Sequence, residues 1–355
     1  MTSMAVCAGR IVRSGILAVA AMLMPALVPA RQPDGLAQTP GGISADRHWQ
    51  DGMRAYERDD YAAAALAFAA VAEARPQEGM AWAMLGLCEY KLARPDEALA
   101  HIQRARTLGI AGDTQFRQVV QYHEGMLLAG RSEFERAQEI FATLVESGAS
   151  SDELIRGLGM TVLRIRPTEA FADAAILSLI EEAGGAEQLL AARQFDRAAA
   201  AYRDLGKRHP ATRNVQYALG RYYVATQQPA EAAAAFEREI ANSPDHVPAR
   251  LGLAAIKKDS DPAAALAYAE QAVRLNPRIP LGHYLLGSLL LQTPDTTRAI
   301  AELELAEQSV HEDPGLYYAL ARAYARAGRT ADAERARATF RRLTDERQRA
   351  ARKQP

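Results

Sequence analysis

Glu57, Asp59 and Asp60 place carboxylates side by side, a composition that acid–base catalysis uses when a fold holds its acids at different pKa values. The run Glu57-Arg58-Asp59-Asp60 also has the composition of a turn, because Asp side chains hydrogen-bond their own backbone and cap helices; the turn is the stronger reading. The seven histidines, His48, His101, His123, His209, His246, His283 and His311, never stand three or four residues apart, so no helix offers a paired metal-ligating face. No H-E-x-x-H, G-x-S-x-G or phosphate-cradling G-x-x-x-x-G-K-[ST] run occurs. Cys7 and Cys88 are the only thiols, and Cys88 reads as a small packing residue rather than a nucleophile. These residues predict no catalytic centre, no metal site and no cofactor. The formal net charge of −1 lacks the excess of basic residues that a nucleic-acid stripe requires.

The elements that would position any site are announced by small residues. Gly52, Gly86, Gly125, Gly159, Ala186, Gly220, Gly252, Gly287 and Ala321 recur at intervals mostly close to about 34, the period of a helix–turn–helix repeat. A second series runs in step: Ala64, Ala98, Ala137, Ala170, Ala198, Ala232, Ala265, Ala299 and Ala333. One small residue per helix lets two backbones approach, so the pattern predicts a stack of helix pairs, and no alternating β-branched run predicts a strand. The composition, 49% hydrophobic but only 6% aromatic, is that of alanine-padded helices.

The second copy, MAWAMLGLCEYKLARPDEALAHIQRA, carries Trp82, Leu85 and Gly86, then Ala98, Ile102 and Ala105. Other copies keep Phe68 and Pro76, Phe141, Tyr202 and Pro210, Phe236 and Pro244, or Ala272 and Pro277. In this the chain resembles the tetratricopeptide repeats, over roughly residues 45 to 345 and about nine units. The resemblance implies an all-α, right-handed superhelical solenoid of antiparallel helix pairs. From Ala170 to Ala198 the spacing contracts, and Gly184-Gly185 fall inside, where paired glycines weaken a helix. The expected organisation is a block over 45–183, a joint near Gly184 and Gly185, and a block over 184–345 with a charged capping helix to about 351; a continuous superhelix with a distorted joint is the alternative.

At the N-terminus, Arg10 and Arg13 precede GILAVAAMLMPALVPA, the layout of a secretory signal, with cleavage expected after Ala30 or, second, after Ala37. Residues 31–44, RQPDGLAQTPGGIS, read as a flexible tether. The expected location is therefore periplasmic or secreted, in a bacterial type of exported protein, with membrane contact only if the N-terminal segment stays uncleaved.

What the resemblance implies about function is a non-catalytic protein–protein interaction scaffold or adaptor, holding a protein or an extended peptide on its concave face. In the family that face includes the position three before each small residue, here Trp49, Ala83, Tyr122, Arg156, Ala183, Tyr217, Ala249, Tyr284 and Tyr318, with Arg221 and Arg322 just after the small residue. The candidate partner-binding residues are thus Trp49, Tyr122, Tyr217, Arg221, Tyr284, Tyr318 and Arg322, since Tyr, Trp and Arg anchor interfaces. The competing reading packs the same tyrosines against the adjoining repeat, with only their hydroxyls wet. The functional alternatives are an accessory subunit of an envelope assembly or secretion machine, and an enzyme whose site no motif announces.

Overall fold

The structure, a computed structural model, describes residues 40–170, 173–310 and 312–353. The expected signal segment with Cys7, Arg10 and Arg13, most of the expected tether, and His311 lie outside the described residues. There are eighteen helices and no strand among the described residues. No described helix is long and apolar enough to cross a membrane.

The chain divides into two compact units, Met1–Ala149 and Ser150–Pro355. The first holds three helix pairs: α1 (Pro40–Glu57) with α2 (Tyr61–Ala74), α3 (Gly79–Lys91) with α4 (Pro95–Leu108), and α5 (Thr114–Gly130) with α6 (Phe134–Glu146). Helix α1 starts at Pro40, inside the span read as a tether. The second unit begins with α7 (Asp152–Val162), the single turn α8 (Pro167–Ala170) and α9 (Ala174–Ala191), followed by α10 (Phe195–Arg208). It continues with α11 (Val215–Ala225) and α12 (Pro229–Asn242), α13 (Val247–Lys257) and α14 (Pro262–Leu275), α15 (Pro280–Leu290) and α16 (Thr296–Glu307), and α17 (Pro314–Arg326) and α18 (Thr330–Lys353).

One packing rule recurs in five of the pairs. The large residue four after the second-helix alanine lies over the small residue of the first helix. A Cβ added at Gly52 would come 2.9 Å from the Phe68 ring, at Gly125 2.5 Å from Phe141, at Gly220 2.4 Å from Phe236 and at Gly287 2.7 Å from Leu303. Distances below about 3 Å leave no room for a methyl, so glycine sets how closely the backbones meet. Phe236 also reaches forward: a Cβ at Gly252, in the next pair, would lie 2.5 Å from it. Helix α12 therefore seals its own pair and seats the first helix of the next.

The turns inside the pairs follow the same register. Asp59, Ala93, Ser132, Arg193, Gln227 and Gly328 all have positive φ, between 56° and 73°, and close the first helix of their pair in the left-handed conformation. Asp60, Asp261 and Asp295 then cap the second helices by accepting backbone N–H bonds. The run Glu57–Asp60 is accordingly a turn and cap: Asp59 accepts the Tyr61 hydroxyl at 2.5 Å, and Asp60 accepts Ala63 N–H at 3.1 Å.

The boundary differs from the sequence expectation at 183/184. Gly184 and Gly185 sit inside the continuous helix α9, and the division falls at Ala149/Ser150, in the loop holding Gly148 at φ 86° ahead of the Ser151 cap. Gly184 is a contact rather than a break. A Cβ there would meet Ile155 O at 1.9 Å, and one at Gly159 would meet Ile180 O at 1.9 Å, so α7 and α9 cross backbone to backbone. The contraction near Ala170 has the same origin. Helix α8 is a single turn, so α9 pairs with α7 as its second helix and with α10 as a first helix. The fourth and fifth units share one helix where nine separate pairs were expected.

Candidate functional site

The aromatic series three residues before each small residue is mostly a stacking series. Tyr217 is 8% exposed, with its ring 5.7 Å from Phe236 and 4.9 Å from His246, the residue that caps the next first helix. Tyr284 is half-buried beside Ser288, and its hydroxyl lies 2.8 Å from where a Cβ on Gly315 of the next first helix would stand. Trp49 packs on Phe68 and on the cluster of Val71, Ala72 and Ala81, the last on the next first helix. Tyr122 lies half-buried against His123 and Phe141. Arg221 is partly buried and feels Tyr202 electrostatically. Trp49, Tyr217 and Tyr284 thus join consecutive pairs, which is why burial claims their side chains, whereas Tyr122 packs within its own pair.

Tyr318 holds the same register position in α17, and no described helix packs over it from beyond α18. It is 54% exposed, its ring edges Phe340 at 5.8 Å, and the Arg322 guanidinium lies 5.8 Å from its centroid, within cation–π range. These residues line an open groove of about 640 Å³ between α17 and α18, whose walls also include Ala321, Ala325, Leu291, Arg326, Arg337 and Arg341. The groove is apolar along its floor and cationic at four points. Arg326 donates to Leu291 O at 2.9 Å, whereas Arg337 and Arg341 make no hydrogen bond or ion pair among the described residues.

Arg337 is the departure that the sequence carried and that its reading missed. It stands four after Ala333, where the other pairs bury Phe68, Ile102, Phe141, Tyr202, Phe236, Ala269 and Leu303. Arg337 is exposed there. Burying a guanidinium without a partner is costly, so an arginine at this position suits the exposed surface it occupies here.

A second missed feature is a buried polar network in the interior. Glu239, fully buried, accepts the Asn214 N–H at 2.9 Å and the Tyr217 N–H at 3.1 Å, supplying the start of α11 with a carboxylate from another helix. Asn214 sits in the left-handed region at φ 69°, and its Oδ1 lies 2.8 Å from His246 Nε2. Ala249 N–H donates to His246 Nδ1 at 3.0 Å, so the ring is neutral with its proton on Nε2. Burial, reinforced by Arg213 and Arg164, depresses the His246 pKa to about 3. His123, buried between Tyr90 and Tyr122, is lowered to about 4, again chiefly by burial. Burial pushes the Cys88 thiol up to about 12, the chemistry of a packing residue. Around Gly184, Glu181 pairs with Arg156 while Glu182 pairs with Arg208 and His209. These acids serve helix packing, and no group of three metal-ligating side chains occurs among the described residues.

Helix pairs stacked through phased small residues, with an exposed groove on the final pair, define an all-α repeat protein of the interaction-module class. A tetratricopeptide repeat model matches residues 51–113, 184–247 and 250–317, together more than half of the chain. The chain belongs to the tetratricopeptide repeat family. No curated protein matches it. Among solved structures, the crystal structure of MamA is similar at 18% identity and a TM-score of 0.42, covering 46% of this chain and 96% of that one. YrrB, described as a TPR protein with an unusual peptide-binding site, is similar at 20% identity and a TM-score of 0.41, over 48% of this chain and 93% of its own. Likeness at these scores carries no weight beyond the family match.

Proposed function

We propose that this chain is a non-catalytic scaffold outside the cytoplasm, and that it holds a protein or peptide partner on the first-helix face of its last pair. Membership of a family of protein-interaction repeats supports the general reading. The observation that carries the finer one is the contrast within a single register position. Tyr217 and Tyr284 are spent on stacking, while Tyr318 is exposed beside Arg322 in a groove of about 640 Å³. An exposed aromatic flanked by arginine is the composition of an interface anchor.

A photo-crosslinking side chain placed at Tyr318 in cells, followed by mass spectrometry of the adducts, tests this. Recovery of one or a few defined proteins, absent when the same group replaces exposed Leu66, is the expected result. Equal, unselective adducts from both positions contradict it. Export rests on the sequence of the N-terminal segment. The mature chain should begin just after Ala30 or Ala37; N-terminal sequencing that returns Met1 from a cytosolic fraction removes this part of the proposal.

A further inference from the structure

The groove on α17 and α18 repeats, in its geometry, the seat that every earlier pair in the second unit offers to the first helix of its successor. Tyr318 stands where Tyr217 and Tyr284 touch the following pair, and Arg337 stands where Phe236 touches Gly252. Two of the helices that occupy such seats, α11 and α17, share a pattern. Five before, one before and two after the small residue they bury apolar side chains: Val215, Leu219 and Tyr222 on α11, and Leu316, Leu320 and Ala323 on α17. The seat on the last pair differs in charge. Its rim carries Arg322, Arg326, Arg337 and Arg341, and α18 carries eight basic side chains (Arg335, Arg337, Arg341, Arg342, Arg347, Arg349, Arg352, Lys353) against four acidic.

We infer that this groove takes an acidic amphipathic helix of a partner protein, with apolar residues at i, i+4 and i+7 on the floor and carboxylates facing the four guanidiniums. The inference rests on the scaffold reading above and supplies the chemistry of its partner. Charge complementarity selects this occupant. Arginine pairs with carboxylates through two parallel hydrogen bonds, and each pair formed at the rim of an apolar floor is less screened than one in open water. A second copy of this chain does not fit. Its own leading helix α1 carries exposed Arg47, Asp51 and Arg54 at the three positions where α17 buries Leu316, Leu320 and Ala323. That would set two more arginines against the basic rim. Nucleic acid is disfavoured because Leu291, Ala321, Ala325 and Phe340 line the floor, and the chain as a whole is near neutral.

The test uses the full chain and a labelled synthetic helix of about five turns, bearing leucines at i, i+4 and i+7 and glutamates on its flanks. Controls are the same peptide with lysine for every glutamate, the same composition broken by central prolines, and a single-stranded oligonucleotide. The acidic helix should bind, its affinity falling with added salt, and Arg337→Glu with Arg341→Glu should weaken it by at least about tenfold. Circular dichroism of that variant should match the parent, because both side chains are exposed. Equal binding of the lysine peptide, an unaffected double variant, or preference for the oligonucleotide overturns the inference. Binding by the proline-broken peptide as tight as by the helix overturns the helical part. Self-association of the chain that Arg337→Glu with Arg341→Glu abolishes assigns the groove to a second copy and overturns the partner. If crosslinking at Tyr318 recovers a defined protein lacking any acidic helix, the scaffold reading stands and this inference alone fails.

Discussion

Gly184 and Gly185 are neighbours in sequence and opposites in structure. A methyl on Gly184 would press on Ile155 O at 1.9 Å, whereas nothing lies within 4 Å of a methyl on Gly185. Gly184→Ala should therefore force α7 and α9 apart, at a cost of about 3 kcal/mol or more, because the obstructing atom is backbone and cannot rotate away. Gly185→Ala should stabilise the protein by about 0.5–1 kcal/mol, by removing chain entropy from a helix interior. Urea titrations of the two variants check both signs. The buried histidines add a pH dependence. Because burial lowers His123 to about 4 and His246 to about 3, the folded state resists protons that the unfolded chain accepts from about pH 6.5 downward. Stability present above pH 6.5 should therefore be lost toward pH 4, by up to about 1.4 kcal/mol per pH unit for each histidine. His246→Gln, which keeps a side-chain amide near Asn214, should flatten that slope in thermal melts recorded across this range. The burial of His246 left no sign in the sequence, since its partners Asn214 and Glu239 come from other elements.

At the scale of elements, the two small-residue series predicted which helices pair, because close approach leaves a mark on each helix separately. The neighbourhood of Gly184 and Gly185 is harder to read for the converse reason. A glycine pair marks a break or a crossing equally well, and only the partner glycine, Gly159 on α7, decides between them. The turn at Glu57–Asp60 was visible as a polar run, but the left-handed residues of the turns were not, because Asp59, Ala93 and Gln227 do not announce positive φ as glycine does. The last turn uses Gly328 at the equivalent place. Ala93→Gly should hold or raise stability by up to about 1 kcal/mol, since left-handed strain on the Cβ outweighs the entropy that glycine adds. Gly328→Ala should lower stability by about 1 kcal/mol. Chemical denaturation of the pair distinguishes them; a stabilising Gly328→Ala contradicts the assigned turn conformation.

For the described pairs as a whole, the decisive variable is which of them has a further first helix packed on it. An identical residue type at an identical register position is interior in Tyr217 and exposed in Tyr318, and nothing local to either tyrosine distinguishes them. The distinction was nonetheless written in α18, where Arg337 replaces the buried apolar residue of the other pairs. Of the seven candidates read from the sequence, Tyr318 and Arg322 meet in the groove, while Tyr217 and Tyr284 hold one pair to the next. The central claim is this division of labour. It is tested most directly by measuring, on Tyr217→Ala and Tyr318→Ala side by side, both the thermal midpoint and the affinity for the partner recovered by crosslinking. The account predicts that Tyr217→Ala loses about 3–5 kcal/mol of stability. It predicts that Tyr318→Ala loses less than about 1 kcal/mol of stability yet binds at least about tenfold more weakly. A Tyr318→Ala variant that binds at full strength, or a Tyr217→Ala variant that melts unchanged, would contradict it.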